Sequence, residues 1–578
     1  MDASIGDVLI RPHGGNLVDL MVSRNEASRL LESSKDWYSW DLTLRQLCDL
    51  ELLLNGSFSP LNGFMNRSDY ESVVQDMRLS NGLVWSIPIV LDVYEDLARK
   101  IGPGTVLALR NPEGAILAVL DVEDIWQPDR LDEAKEVYQS TSCSHPGVNY
   151  LVNQTNPWYV GGRIRGVLSP AHYDFLSLRL SPIQMRQKFL KYNWKKIVAF
   201  QTRNPLHKAH QEITLQATSA IDANLLIHPV VGMSRPGDID HFTRVRCYQV
   251  IQHHYPEGKM MLGILPLAMR LAGPREAIWH ALIRKNYGCT HIIIGRDHAS
   301  PGSDQEGRPF YQPYEAQDSL KNYEEEVEIQ PIPFHEMCYV KNLNTYLPKN
   351  KIPEGTETLS ISGTELRRRL REGEEIPSWF SFAEVVEELR RTHPPREKQG
   401  FTIFLTGLSA SGKSTIANIL AIKLLELGGR PVTLLDGDIV RKYLSQELGF
   451  SKNDRDMNIR RIGFVASEIT KNSGIAICAP IAPYENTRKE VRSNIEKVGG
   501  FILVHIATSL EICEKRDIKG LYAKARAGMI DNFTGVSDPY EIPLNPEVVI
   551  DNSEQSPEDS AQQILDFLVK QRYIRKYQ

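Results

Sequence analysis

Short apolar runs set the rhythm of the chain. Residues 1–170 contain "WSIPIVLDV", "GTVLALR" and "AILAVLDVEDIW", each bounded by turn residues. That spacing predicts a mostly-β domain, barrel-like or open-sheet, with a few helices. From about residue 174 the rhythm changes. "KKIVAFQTRNPLHKAHQEITLQATSAI" (195–221) reads strand, loop, helix; "ANLLIHPVV" is strand-like, "REAIWHALIRKNYG" helix-like, and "THIIIGRD" strand then loop. Strands alternating with helices predict a parallel, doubly wound sheet with ligands at the strand C-termini. Residues 343–360 read as loop-rich, followed by the helix "SGTELRRRLREG" with Ser362 or Thr364 near its start. "RRTHPPREKQG" (390–400), with two prolines and a glycine, is the best linker candidate. After it "GFTIFLTG", "RPVTLLDGD", "GIAICAPIAPY" and "GFILVHIAT" give four strands of a second α/β pattern. The expected organisation is an α/β multidomain chain in three parts. These are 1–173, β-rich; 174–399, doubly wound, with a small sub-domain from about 332 to the linker at 390–400; and 400–578.

Composition narrows the class. The 578 residues are 42% apolar and 24% charged, ordinary for globular domains, with a net charge of −5. Nothing global suggests a nucleic-acid partner, so any attraction for anions must be local. The seven cysteines (Cys48, Cys143, Cys247, Cys289, Cys338, Cys478, Cys513) are scattered, with no C-x-x-C. This argues against a disulfide framework or zinc site and for a reducing compartment. No signal-peptide core opens the chain and no run approaches a membrane span, so a cytoplasmic protein is expected.

Three segments in the middle of the chain suggest chemistry. In "VAFQTRNPLHKAHQEIT" (198–214) a strand ends near Phe200, and a loop presents Gln201, Thr202, Arg203 and Asn204. A helix is expected from Pro205, which suits a first helical turn. His207 and His210, three apart, share a face near its N-terminus, where free N–H groups already favour anions. Two imidazoles and an arginine there make a phosphate or sulfate pocket. The competing readings are two surface histidines, or a metal pair, which lacks a third ligand. "IIIGRDHASPG" (292–302) places Gly295, Arg296, Asp297 and His298 after another strand, and would otherwise be an ordinary charged turn. "ISGTELRRR" (361–369) reads equally as a capped, solvated helix.

The C-terminal signal is sharper. Gly407 to Ser414 fits G-x-x-x-x-G-K-[ST] between a strand (401–405) and a helix (413–425). Its turn amides cradle phosphates, Lys413 reaches the β/γ oxygens, and Ser414 holds Mg²⁺. Asp436 and Asp438 follow the next strand. One can orient or deprotonate a hydroxyl acceptor and the other organise the metal.

Longer matches carry a resemblance. "LTLRQLCDLELLLNGSFSPLNGFM" (42–65), "QTRNPLHKAH", "HPVVGMSRPGDIDHFTRVRCY" (228–248), "GPREAIWHALIRKNYG" and "GRDHASPG" resemble ATP sulfurylase over roughly residues 10–395. The resemblance implies a PUA-like N-terminal domain and a nucleotidyltransferase domain. The implied reaction turns ATP and sulfate into adenosine 5′-phosphosulfate (APS) and pyrophosphate. By the same resemblance Gln201, Arg203 and the Ala299 backbone hold sulfate, and Thr202, Arg203 and Asn204 form the catalytic loop. His207 and His210 stabilise phosphate charge, Gly295 to His298 line the nucleotide, and the Met337 backbone meets adenine.

"LLDGDIVRKYLSQELGFSKNDRDMNIRRIGFVA" (434–466), "APIAPY" (479–484) and "CEKRDIKGLYAKARAGMIDNFTGVSDPYE" (513–541) resemble APS kinase. That family's reaction gives 3′-phosphoadenosine 5′-phosphosulfate (PAPS) and ADP. The resemblance implies ATP at Gly407, Ser409, Ala410, Ser411, Gly412, Lys413, Ser414 and Thr415, with Mg²⁺ at Ser414 and Asp438. It implies a catalytic Asp436, and Arg441, Arg455, Asn458, Ile481 and Ala482 around APS. Phe450 and Phe533 sandwich its adenine, while Lys519 and the Asn532 segment close over the site. Arg460 and Arg461 read equally as a solvated face. Ala482 departs from the serine many relatives have, which removes a phosphoserine mechanism but not direct transfer. The order of domains resembles filamentous-fungal ATP sulfurylases, whose C-terminal domain is a PAPS-binding regulatory relic. The intact Lys413, Ser414, Asp436, Asp438, Arg516 and Lys519 favour a working kinase. A homo-oligomer, dimer or hexamer, is expected.

Overall fold

The computed structural model describes residues 8–233 and 238–575. Positions 234–237 of the segment 228–248 lie outside the described residues. The chain forms two compact units: residues through Ile361 with Pro377–Glu388, and Ser362–Ile376 with the chain from Leu389.

The first unit begins with a six-stranded, largely antiparallel sheet whose longest pair is Ile116–Trp126 against Trp158–Gly166. Helices surround it; one, Leu44–Leu54, starts at a capping box in which Thr43 and Gln46 exchange side-chain bonds with each other's backbone N–H. A single hydrophobic core runs from Trp40, Leu50 and Trp85 in this part to Trp279 and Ile294 in the next. The second layer is a fully parallel sheet of β1 (Ile197–Phe200), β2 (Asn224–Ile227), β3 (Met260–Leu262), β4 (His291–Ile294) and β5 (Gln330–Pro333), in the order β5-β4-β1-β2-β3. Almost every residue of β1, β2 and β4 is buried, which is why these strands are continuous apolar runs without alternation. The order reverses between β1 and β4. Ligands of open α/β sheets bind beyond the strand ends at such a switch point. The loops leaving β1 and β4 are the two charged segments singled out in the sequence.

Residues 343–360 are more ordered than a loop. Met337–Val340, Thr345–Pro348 and Thr358–Leu359 make a small antiparallel sheet. Strands of two to four residues, one ending in proline, are too short to show a period.

The second unit holds another parallel sheet: β6 (Phe401–Thr406), β7 (Val432–Asp436), β8 (Ile475–Ala479), β9 (Gly500–Ile506) and β10 (Val548–Ile550), ordered β7-β8-β6-β9-β10. The segment 390–400 is not free chain. The helix Ala383–Thr392 runs into it, and Arg396 Nη1 and the Gln399 carbonyl bond Gln571 and Arg430 at 3.2 and 2.6 Å. Ser362 does cap Gly363–Glu372, accepting from the Glu365 N–H at 3.1 Å. Arg368 there is matched by Glu365, Glu372 and Glu374, the solvated-helix reading of that segment. Among the described residues no helix is long and apolar enough to cross a membrane, and no disulfide forms; six cysteines are buried and Cys143 is exposed.

Candidate functional site

The first site lies at the β1/β4 switch point. Helix α1 (Lys208–Ala220) begins three residues later than expected: Pro205 lies in the loop, and His207 is the N-cap. The cap is what pairs the histidines. His210 Nδ1 accepts the His207 backbone N–H at 3.3 Å, and the rings sit 3.9 Å apart between centroids. His207 also stacks on Phe380 at 4.6 Å. Because His210 Nδ1 accepts, its proton sits on Nε2. Burial lowers both rings, His210 to about 4 and His207 further, with His210 adding to the latter. At neutral pH they are therefore uncharged donors. His207 Nδ1 is buried without a partner, as expected of a group kept for a ligand.

The loop itself is braced. Thr202 Oγ1 accepts the Asn204 N–H at 3.0 Å. Arg203 reaches Asp238 at 3.0 Å and the Ser300 carbonyl at 3.4 Å, tying the β1 loop to the β4 loop. Ala299, beside that carbonyl, adopts φ +53°, a left-handed turn costing an L-residue about 1–2 kcal/mol. Gln201 Oε1 is buried and unpartnered. Arg296, Asp297 and His298 line a small pocket, of about 10 Å³, with Gly273 and Pro274, the first residues of α2 (Gly273–Asn286). Arg296 also meets Glu336 at 3.4 Å, next to Met337. Gly295 directly follows β4.

Two residues given no role from the sequence hold this loop. Arg244 Nη1 donates to the carbonyls of Arg203 (3.1 Å) and Val230 (2.9 Å), and Tyr248 Oη donates to that of Asn204 (2.8 Å). They stand four apart on the helix His241–Ile251, a spacing visible in "HFTRVRCY".

The second site is a cleft of about 1220 Å³ in the C-terminal unit. One wall is the turn between β6 and α3 (Lys413–Leu427). Gly407, which donates to the Ile481 carbonyl at 3.4 Å, opens that turn. Ala410 at φ +57° and Gly412 at φ +95° curl its amides, and the Ser411 hydroxyl lies under the Lys413 ammonium at 3.3 Å. Lys413 is 6% exposed and donates to the Leu408 carbonyl at 2.6 Å. Burial lowers its pKa to about 8. Ser409, Ala410, Gly412, Ser414 and Thr415 face the cleft.

The two aspartates have different partners. Ser414 Oγ donates to Asp436 Oδ2 at 2.8 Å, whereas Asp438 pairs with Lys519. Asp436 caps its own turn, Oδ1 accepting the Asp438 N–H at 3.0 Å, so that its other oxygen faces Ser414.

The opposite wall holds the remaining expected residues. Arg441 stacks over Phe450 at 4.3 Å and bonds the carbonyls of Leu448 and Gly449 at 3.1 Å. Arg455 bonds Thr534 and reaches Asp538 at 3.3 Å. Asn458 Oδ1 is buried without a partner. Phe533 lies edge-on to Tyr522 at 5.0 Å. Ile481, Ala482 and Asn532 complete the lining, and Ala482 adopts φ +47°. Arg460 is spent on a surface pair with Glu490 at 2.9 Å and Arg461 on Glu447 at 2.6 Å; both belong to the solvated face. Asn552, Gln555 and Pro557 also line the cleft, and no motif in the sequence marked them.

Comparison with known proteins follows this division. Residues 10–169 match the family described as PUA-like domain, 176–392 ATP-sulfurylase, and 399–551 adenylylsulphate kinase. The chain is similar to "Sulfate adenylyltransferase" of Coccidioides immitis, 51% identical over 98% of this chain and 99% of the relative. It is similarly related to that of Neurospora crassa, at 50% over 98% and 99%. Among solved structures it resembles the "Hexameric APS kinase from Thiobacillus denitrificans", with a TM-score of 0.82, 38% identity, and 98% and 100% of the two chains covered.

Proposed function

The chain belongs to the sulfate adenylyltransferase family, and from that premise we propose that its two sites act in succession. The first makes APS and pyrophosphate from ATP and sulfate. The second transfers the γ-phosphoryl group of another ATP to the 3′-hydroxyl of APS, giving PAPS and ADP.

In the first step a sulfate oxygen forms a bond to the α-phosphorus and the bond to the β-phosphate oxygen breaks. Sulfate is a weak nucleophile approaching a phosphorus ringed by negative oxygens. A positive charge 4 Å from a negative one contributes about 4 kcal/mol at an effective dielectric of 20. Arg203, steadied by Asp238 and Ser300, is placed to supply one. Gln201 provides amide donors for sulfate, and the His207–His210 pair provides N–H groups for the phosphates and the departing pyrophosphate. Thr202 and Asn204 shape the loop. Arg296, Asp297 and His298, with Met337 close by, form the nucleotide's wall.

For the second step, the single supporting observation is the cleft. It joins an intact phosphate-binding turn to the Arg441–Asn458–Phe533 wall, and at about 1220 Å³ exceeds the ~300–1,000 Å³ of a one-ligand pocket. The Ser414 hydroxyl and Asp436 carboxylate, 2.8 Å apart, are hard oxygen donors that fit Mg²⁺. When bound with ATP, the ion neutralises the β- and γ-phosphate oxygens. Asp438 is then the carboxylate left to orient the 3′-hydroxyl and take its proton, once Lys519 turns to the phosphates. Arg441, Arg455 and Asn458 grip the phosphosulfate, and Phe450 and Phe533 bound the adenine.

A second reading keeps the sulfurylase alone and makes the C-terminal unit a regulatory PAPS-binding module. It is favoured by the names of the relatives, which mention only the sulfurylase. ADP release by the full chain with saturating APS and MgATP separates the two. Turnover abolished by Lys413→Ala, with APS synthesis intact, is expected. No turnover together with tight PAPS binding establishes the regulatory module. For assembly we propose a homo-oligomer, in keeping with the similar Thiobacillus denitrificans structure, which is described as hexameric; sedimentation of the intact protein tests it.

A further inference from the structure

Helix α2 holds a buried acid and a buried base, one turn apart, to which the roles above give no part. Glu276 and His280 are both 0% exposed. The Glu276 carboxylate accepts the backbone N–H groups of Arg270 (3.0 Å) and Ala272 (2.8 Å), and its Oε1 lies 3.2 Å from His280 Nε2. Its position is fixed from behind, since the Arg270 side chain is anchored on buried Asp49 at 2.6 Å. His280 Nδ1 stands 3.0 Å from His298 Nε2, and His280 Nε2 stands 3.3 Å from the Gln201 amide. One ring thus touches both switch-point loops.

The proton positions follow from charge. Burial pushes the Glu276 carboxyl up, but the His280 contact and the two backbone amides outweigh it and hold it below the usual range. It is an ionised acceptor. Burial lowers His280, against the opposing pull of Glu276 and with help from Arg284; burial, His280 and Arg284 lower His298 further. Both rings are neutral, with one N–H each. An ionised carboxylate at Nε2 requires the His280 proton there. Its Nδ1 is then a lone pair, which requires the His298 proton on Nε2 and leaves His298 Nδ1 bare. A protonated His280 Nε2 also needs an oxygen from Gln201. The oxygen and NH₂ ends of a side-chain amide are nearly the same size, so either fits against the ring. Turning this one by half a turn gives Oε1 that partner. The NH₂ donors then occupy the buried, unpartnered position now held by Oε1, the polarity an anion needs.

We propose that Glu276 and His280 are positioning residues of the sulfurylase site, which hold the Gln201 NH₂ toward sulfate and fix His298 as its Nε2–H tautomer. The sulfate part rests on the reading of the Gln201–Asn204 loop given above; the tautomers do not. The first test uses the unaltered full chain labelled with ¹⁵N-histidine, its resonances assigned with His280→Gln and His298→Gln. Imidazole nitrogen shifts should show both rings as Nε2–H from pH 6 to 9. An Nδ1–H tautomer at His280 overturns the proposal whatever the activity. The second test is kinetic. Glu276→Gln puts a donor where an acceptor is required. It should raise the KM for sulfate about 10- to 100-fold, the size of one unmet buried hydrogen bond, with the KM for ATP within about twofold. Glu276→Asp should recover part of the loss. An unchanged sulfate KM in Glu276→Gln also overturns it. Nε2–H tautomers in a chain that binds no sulfate would instead overturn the reading of the loop.

Discussion

Lys413 shows how a single residue is held ready by an unfavourable environment. Its ammonium is buried against the Leu408 carbonyl, with no carboxylate in ion-pair contact among the described residues, and burial lowers it from 10.5 to about 8. A base whose folded pKa lies below its unfolded value lowers stability in full below the folded pKa, and the cost fades as pH rises toward the unfolded one. For Lys413 that window is pH 8 to 10.5, and the cost is on the order of 3 kcal/mol. Lys413→Met should therefore leave the ligand-free C-terminal unit at least as stable at pH 7, by urea unfolding. The wild type should gain on it between pH 8 and 10. The same variant should lower PAPS formation by at least about 100-fold, because the cation aimed at developing phosphate charge is gone. His207 and His210 follow the same rule, in a window on the acid side. Both are lowered by burial, so the stability they contribute is present above pH 6.5 and lost as pH falls toward about 4. Denaturant midpoints of the first unit should drop across that interval, and less so in His210→Gln.

At the scale of elements, both sites are strand–loop–helix turns, and the sequence reveals such turns well because their ingredients are local. The P-loop spacing, the strand before it and the helix after it all sit between Phe401 and Leu427. Gln201 through His210 are as local. What depends on packing was not legible. Helix α1 starts at Lys208 rather than after Pro205, with the His210 ring taking up the N–H of the N-cap His207, a competition between neighbours that residue types alone do not decide. Whether Asp436 or Asp438 faces Ser414 depends on one turn's dihedral angles. Glu276 and His280 sit in a segment that reads only as helix, although their spacing of four was visible. Gly412 is one position at which the P-loop's geometry is exacting. Its φ is +95°, and a Cβ would come within 2.6 Å of Asn552 Nδ2. Gly412→Ala should weaken MgATP binding by the C-terminal unit at least about tenfold, given about 1–2 kcal/mol of strain together with the displaced Asn552; titration calorimetry reads it. Ala482, by contrast, already adopts φ +47°. Ala482→Ser should leave phosphoryl transfer within about threefold and yield no phosphoenzyme by mass spectrometry, because direct transfer asks nothing of that side chain.

For the whole molecule, two nucleotide sites in one chain make chemical sense. Forming APS exchanges a phosphoanhydride for a higher-energy phosphosulfate and is uphill; a second phosphorylation removes the product by mass action. The three domains and their order were readable because each carries a long motif, whereas the packed character of 390–400 was not, since its partners Arg430 and Gln571 lie far along the chain. The central claim is that the C-terminal unit works as a kinase on what the first unit makes. Supplying the intact protein with ³⁵S-sulfate and MgATP, with pyrophosphatase present, and separating the labelled nucleotides tests it most directly. The account predicts that label accumulates in PAPS, and in APS alone for Lys413→Ala. Label confined to APS in the unaltered chain, at saturating MgATP, would contradict it.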